Sequence, residues 1–285
     1  MPDPDRLLTT LRRAAAACRT TPGRQGRIIH LPPGAELLVA GDLHGNIDNF
    51  RRLLLLSELV DRPQRHLLLQ EVIHGPFRYP DGADKSHQLL DLVAALKAQF
   101  PDRVHFLPGN HELAQAAGRP VGKGDCNDIL NALFQDGVRT AYGARAEEVY
   151  IGYLDLFAAA PLAVRTASRV LACHSLPSAS HLATFDPAVL TLDETPAAEL
   201  EPGGSVFSLV WGRDTRPDHV AAFLKIMDAD LLITGHIPCD EGFEFPGDRH
   251  LIVDSASVPG ACCLVPAGER VSLDDLRAGV CLLVS

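Results

Sequence analysis

The chain has no Cys-x-x-Cys pair, no long apolar run and no excess of basic residues, and each absence removes a class of protein. Its seven cysteines, Cys18, Cys126, Cys173, Cys239, Cys262, Cys263 and Cys281, are odd in number and scattered, so neither a thiolate zinc site nor a disulfide framework is expected. No apolar stretch approaches the roughly 18 to 20 residues needed to cross a bilayer. The opening MPDPDRLL lacks a basic region followed by an apolar one, so no secretory signal is read. Lys and Arg number 26 against 36 Asp and Glu, a formal charge of −10, which disfavours nucleic acid or an anionic membrane surface as partner. Internal repeats and a compositional break between domains are also missing. What remains is a soluble protein of a reducing cytoplasm: an N-terminal helix and linker over 1–30, then one domain over 31–285. A hydrophobic content of 46% with 22% charge is ordinary for a globular chain, and 285 residues can bury a large core.

Residues 5–18 carry Leu7, Leu8, Leu11 and Ala15 on one side, which predicts a short helix. Beyond a loop marked by Pro and Gly, a pattern recurs: an apolar run, often a Gly, then a polar residue able to bind metal. It occurs as ELLVAG-Asp42, HLLLQ-Glu71, VHFLPG-Asn110, RVLAC-His174 and LLITG-His236. Helical patterns lie between, at 86–100 and 219–227. Strands alternating with helices predict an α/β fold with its sheet covered on both faces. Ligands in such folds gather at the carboxyl ends of the strands, so these five ends are expected to converge. Two segments read as insertions. One is 113–165, with the helical stretches DILNALFQDG and EEVYIGYLDLFAAA. The other is 175–208, a Pro/Gly/Ser loop with five acids and no Lys or Arg. The second follows His174 directly, and either borders the site or is a solvated surface loop.

GDLHGN, residues 41–46, sets Asp42 and His44 two apart where a strand runs out. In extended chain such residues point to one side and both can reach one cation. Gly41 and Gly45 permit a sharp turn, and taken alone the hexapeptide fits an ordinary turn as well. LPGNHE, residues 107–112, adds Asn110 as a neutral oxygen donor with His111 beside it. Neighbouring side chains diverge, so the natural division is Asn110 on metal and His111 in proton transfer; a capped turn is the other reading. His174 in LACHSLP and His236 in ITGHIP each read alone as structural. In register with Asp42, His44, Glu71 and Asn110 they read as ligands.

GDLHGN, GNHE, a strand-terminal His and a later GH, in that order, resemble the calcineurin-like metallophosphoesterases, most of all the phosphoprotein-phosphatase (serine/threonine) branch. The likeness spans residues 36–265, and includes YLDLFAAAPLAVRTASRVLACHSLPS, DADLLITGHIPCDEGFEF and LIVDSASVPGACC. It implies a sheet sandwich flanked by helices, with a dinuclear metal site at the strand carboxyl ends. Asp42 and His44 would bind one cation, and Asn110, His174 and His236 the other. Mixed nitrogen and oxygen ligation without thiolate suits two divalent ions of Mn, Fe or Zn. The implied reaction is hydrolysis of a phosphomonoester, in a small molecule or a phosphoprotein, by metal-activated hydroxide with His111 as general acid.

One motif is missing. The family's GDxxDRG, whose first Asp bridges both cations, is replaced by RHLLLQEVIHG, residues 65–75. Aligned strand to strand, Glu71 takes the bridging place, His74 stands where an Asp holds the general-acid His, and Gly75 replaces an Arg. VDRP, residues 60–63, mimics part of the motif but precedes the strand. A Glu carboxylate can span two cations about 3.5 to 4 Å apart if the strand end withdraws by one methylene. Buried without cations it would cost several kcal/mol or take up a proton; a surface Glu is the other reading. His74, lacking negative charge, cannot raise the pKa of His111 as a carboxylate would, so a weaker acid or a preference for good leaving groups is expected. Arg213, in VWGRD, is the replacement phosphate-binding Arg, because its planar fork donates bidentate bonds; Arg78 and Lys85 are weaker choices. The competing readings are a non-catalytic metal-binding or regulatory protein on the same fold, and a nucleotide or dinucleoside polyphosphate hydrolase. A nuclease or phosphodiesterase is disfavoured by the lack of a basic stripe.

Overall fold

The computed structural model describes residues 3–122 and 129–283. Its strands, in chain order, are β1 (Arg24–Gln25), β2 (Ile28–His30), β3 (Glu36–Asp42), β4 (Arg65–Gln70), β5 (Val104–Leu107), β6 (Ala163–Arg165), β7 (Val170–Cys173), β8 (Leu231–Thr234), β9 (Phe243–Glu244), β10 (His250–Val253), β11 (Ala261–Val265) and β12 (Val280–Leu282). They form a five-stranded sheet, β12-β11-β3-β4-β5, and a seven-stranded sheet, β1-β2-β6-β7-β8-β10-β9. Both are mixed: β3, β4 and β5 run parallel, as do β7, β8 and β10. The helices are α1 (Pro4–Arg19), α2 (Ile47–Ser57), α3 (His87–Gln99), α4 (Asn110–Ala116), α5 (Leu130–Tyr142), α6 (Ala146–Ala159), α7 (Ala179–Leu182), α8 (Ser205–Trp211), α9 (Pro217–Ile226) and α10 (Leu273–Gly279).

The alternation of side chains along a strand decides the layering. Leu37 and Val39 of β3 and Leu68 of β4 point into a core shared with Val164, Ala172, Ile233, Leu251 and Val253 of the other sheet. Leu38, Ala40, Leu67 and Leu69 face the opposite way, onto Val93, Phe134, Tyr153 and Phe157 from the helices. On the far side, Leu171, Cys173 and Leu232 pack against Val206, Leu209, Val220 and Phe223. Fully burying each such Leu, Val or Phe contributes about 1.5–3 kcal/mol. The result is a helix–sheet–sheet–helix sandwich, and burial on both faces explains why β3, β4 and β8 read as unbroken apolar runs.

The helices expected at 5–18, 86–100 and 219–227 are α1, α3 and α9. Asp3 caps α1, accepting from the amides of Asp5 and Arg6, with Pro4 in the first turn. Residues 24–30 form β1 and β2 at one edge of the larger sheet rather than an irregular connection. The segment 175–208 is not a plain loop. It holds α7, two 3-10 turns (Pro187–Thr191 and Ala197–Leu200) and the start of α8, and it buries Val189, Leu190 and Val206. These apolar residues are too widely spaced among Pro and acids to show a helical period. The insertion 113–165 contains α5 and α6; Cys126 and Asp128, which opens DILNALFQDG, lie outside the described residues. Among the described residues no helix is long and apolar enough to cross a membrane.

Candidate active site

Each predicted donor stands at or just past the carboxyl end of one of five strands. Asp42 closes β3, with His44 two residues on; Glu71 follows β4; Asn110 opens α4 beyond β5; His174 follows β7; and His236 lies two past β8. The two sheets meet here, because the His236 amide donates to Asp42 Oδ1 at 3.0 Å and Asp42 bridges to Asp254. The exits from these strands are strained. His44, Glu71, His74 and His236 have φ of 41°, 29°, 61° and 67°, in the left-handed region that disfavours any side chain. Such strain concentrates where backbone must aim a functional group. The approach is also close: a Cβ added at Gly109 would lie 1.8 Å from Glu71 Oε2, and one at Gly235 would lie 2.4 Å from Asp42 Oδ1.

Glu71 is 1% exposed and sits at the centre. Its Oε1 is 3.3 Å from His44 Nε2 and 3.9 Å from His111 Nε2. Its Oε2 is 3.3 Å from His174 Nε2 and accepts from the His111 amide at 3.1 Å. Asp42 lies 3.8 Å from His44 Nε2 and 3.5 Å from His174 Nδ1. His174 Nε2 is 3.1 Å from Asn110 Oδ1 and 3.2 Å from His236 Nδ1. Two sets of donor atoms, each within 4.8 Å of one another, share Glu71: Asp42, Glu71 and His174; and His44, Glu71 and His111.

These atoms fit a cation better than they fit one another. His44 Nδ1 is 2.8 Å from the carbonyl of Ile73, which only accepts, so the proton is on Nδ1 and the Nε2 lone pair faces Asp42 and Glu71. The single Nε2 of His174 confronts two oxygen acceptors, of Asn110 and Glu71, as well as a ring nitrogen of His236, while its buried Nδ1 has no hydrogen-bond partner. With protein atoms alone, burial raises the Asp42 carboxyl well above the carboxylate range, and the His236 amide offsets this only in part. Burial raises Glu71 as well, and the charges of Asp42 and Glu112 push it further. Burial drives His174 well down and His236 to about 3, the latter helped by the charge of Arg213. Buried carboxylates and imidazoles turned inward form a cage rich in lone pairs, a candidate donor set for a cation.

Beside the cage, His74 Nδ1 is 2.9 Å from His111 Nδ1, and His74 Nε2 is 3.1 Å from Gln115 Oε1. His74 thus contacts His111 directly. Arg213 lines the cavity, its Nε 3.1 Å from His236 Nε2. The weaker candidates are engaged elsewhere: Arg78 pairs with Asp84 at 3.4 Å, and Lys85 Nζ lies 5.1 Å over the Tyr79 ring. The cavity measures about 730 Å³, with Phe77, Val121, Leu130, Trp211 and Val258 forming its apolar walls. Two contributors went unread in the sequence. Glu112 is buried and accepts from the amides of Val72, Ile73 and Gly109 at 2.8, 3.0 and 2.9 Å, tying the exit of β4 to the start of α4. Its signal was an acid in the first turn of a helix. Gln115 was signalled only by lying four residues, one helical turn, from His111.

A two-sheet α/β sandwich with a cage of nitrogen and oxygen donors at its strand ends defines the metallophosphoesterase class. The chain belongs to the calcineurin-like phosphoesterase family, whose model matches residues 35–240. It is 27% identical, over 76% of its length and 45% of the relative's, to a protein of Encephalitozoon cuniculi named probable serine/threonine-protein phosphatase. It is 23% identical, over 84% of its length and 53% of the relative's, to a serine/threonine-protein phosphatase of Caenorhabditis elegans. The chain thus spans about half the length of these curated relatives. In fold it is similar to a Saccharomyces cerevisiae protein serine/threonine phosphatase with similarity to human PP5, at a TM-score of 0.68 and 16% identity over 99% of this chain and 89% of that one. A cold-active protein-tyrosine phosphatase of a psychrophilic Shewanella has the same fold at a TM-score of 0.58 and 14% identity, over 87% and 79% of the two chains.

Proposed function

We propose that the chain is a metal-dependent phosphomonoesterase holding two divalent cations, of Mn, Fe or Zn, among Asp42, His44, Glu71, Asn110, His174 and His236. The observation that carries this reading is the placement of Glu71, whose two oxygens each face a different imidazole, at 3.3 Å to His44 and 3.3 Å to His174. That is the disposition of a carboxylate shared between two ions, the role of the family's missing Asp. Bound cations would offset phosphoryl charge and lower the pKa of water, so that hydroxide is available near neutral pH.

The chain's own residues supply binding and proton transfer. Arg213 offers its guanidinium fork to the phosphoryl oxygens. His111 carries a proton to the leaving oxygen. The apolar walls receive the leaving group and keep bulk water from the reacting centre. Phe77 and Val258, 52% and 91% exposed, extend that apolar surface to the rim, which suits the flank of a phosphoprotein. The relatives' names favour the same substrate class, with a phosphorylated small molecule as the alternative.

The test is hydrolysis of an aryl phosphate by purified chain, stripped of metal and then titrated with Mn²⁺. Turnover is expected to depend on metal and to vanish in Glu71→Ala while the circular dichroism spectrum is kept. A chain that binds two metals and turns nothing over would instead be the metal-binding regulatory protein, a reading favoured by one observation, His74 standing where an acid would hold His111. A chain that binds no metal refutes the role of Glu71.

A further inference from the structure

We infer that Gln115 is a positioning residue: through its amide it sets the tautomer of His74, and through His74 that of His111. The inference rests on the reading of His111 as proton donor. The family's carboxylate partner is replaced here by a neutral amide–imidazole pair.

The chain of hydrogen bonds has one possible direction, and a backbone carbonyl decides it. Gln115 is 2% exposed, and its amide nitrogen is 3.4 Å from the carbonyl of Asn131 and 2.7 Å from Tyr150 Oη. A backbone carbonyl only accepts, so the NH₂ group is on that side and Oε1 is turned to His74. Oε1 also only accepts, so the nitrogen facing it at 3.1 Å, His74 Nε2, must carry hydrogen. His74 is 2% exposed, and among the described residues no carboxylate pairs with it, so a second proton would be an uncompensated buried charge. Its Nδ1 is therefore a lone pair. The nitrogen 2.9 Å away, His111 Nδ1, must donate to it. That leaves His111 Nε2, on the Glu71 side, as the nitrogen that exchanges a proton.

The geometry has a local origin. Gln115 lies four residues beyond His111 on α4, so both face the same neighbour. The ring of His74 also packs against Phe134 in a T-shaped arrangement, centroids 5.9 Å apart, and its amide donates to Ser86 Oγ at 3.0 Å. Only the hydrogen-bond direction is left for Gln115 to decide. Without an acceptor at 115, His74 can take either tautomer, and the one with hydrogen on Nδ1 turns His111 the wrong way round.

Two variants separate this role from simple packing. Gln115→Met removes both acceptor and donor; Gln115→Glu keeps the acceptor for His74 but gives up the donor to Asn131. Long-range proton–nitrogen spectra of the histidine side chains, in the intact chain of 285 residues with diamagnetic Zn²⁺, read the tautomers directly. Wild type is expected to show hydrogen on His74 Nε2 and His111 Nδ1, Gln115→Glu to keep hydrogen on His74 Nε2, and Gln115→Met to show a mixture. Because a general acid matters most for poor leaving groups, Gln115→Met should lower kcat on an alkyl phosphate about tenfold or more, and on a p-nitrophenyl ester under about threefold, with KM unchanged. Hydrogen on His74 Nδ1 in the wild type overturns the inference. So does an equal loss on both substrates, or a Gln115→Glu variant that behaves like Gln115→Met. If the wild type hydrolyses no phosphoester, the phosphatase reading falls, and the spectra still decide the tautomers.

Discussion

Adding a divalent cation to the metal-free chain should release protons, in a number set by pH. Burial lifts the Asp42 carboxyl from 3.8 to about 7, and Glu71 is also lifted, by burial and by the negative charge beside it. A group titrating near 7 is about nine-tenths protonated at pH 6 and about one-tenth at pH 8. The cation binds the ionised form, so at pH 6 it must displace between about one and two protons from the two carboxyls. His174 and His236 add nothing, since burial drives both down and they are already neutral. Affinity should therefore rise up to tenfold per displaced proton per pH unit, and flatten above the raised pKa. The sign for the fold follows. A raised carboxyl stabilises the metal-free chain fully below pH ~4, and that stability is lost as pH climbs through about 7; for Asp42 the three-unit shift is on the order of 4 kcal/mol. Titration calorimetry with Zn²⁺ in two buffers of different ionisation enthalpy counts the protons. Glu71→Gln should release up to one fewer at pH 6. No release at pH 6 in the wild type, or an undiminished count in Glu71→Gln, would show that these carboxyls are ionised before metal arrives and refute the reasoning.

Replacing His111 by Asn should lower kcat by about 10²- to 10⁴-fold with little change in KM, measured by steady-state kinetics on an alkyl phosphate. Arg213→Ala removes the guanidinium from the cavity wall and should reduce kcat/KM by about 10- to 100-fold, the worth of a hydrogen bond to a charged group. Gly109→Ala places a methyl 1.8 Å from Glu71 Oε2 and should displace that carboxylate, lowering the metal content found by elemental analysis while the chain stays folded.

The convergence of polar residues at the strand ends was legible because a strand buried on both faces is written in Leu, Val and Ile, and a polar residue closing such a run stands out. Glu71 after Leu67, Leu68 and Leu69 is the plainest case. Which strand pairs with which was not legible from the residues, since apolar runs carry no address. The sandwich followed from the family resemblance, and the partition of β3 and β4 side chains between two cores followed from the structure. Glu112 and Gln115 escaped for another reason. They act on backbone amides and on a second imidazole, and neither partner can be named until the start of α4 is known. The segment 175–208 looked like loop because its buried residues, Val189, Leu190 and Val206, come singly or in pairs between prolines and acids.

The contact between the His236 amide and Asp42 joins residues 194 positions apart, and Asn110 and His174 lie between them in sequence. No short stretch of chain holds the set, so metal cannot gather the unfolded polypeptide as it does a zinc finger. Closing loops of this span is slow and must come before any reward from the contacts they make. Both sheets have to pair before the cage exists, so an ion held there would be a late arrival that binds a finished fold and stabilises it by mass action. Metal uptake in a refolding experiment would then report the last step of assembly, lagging behind the signal of the sheets.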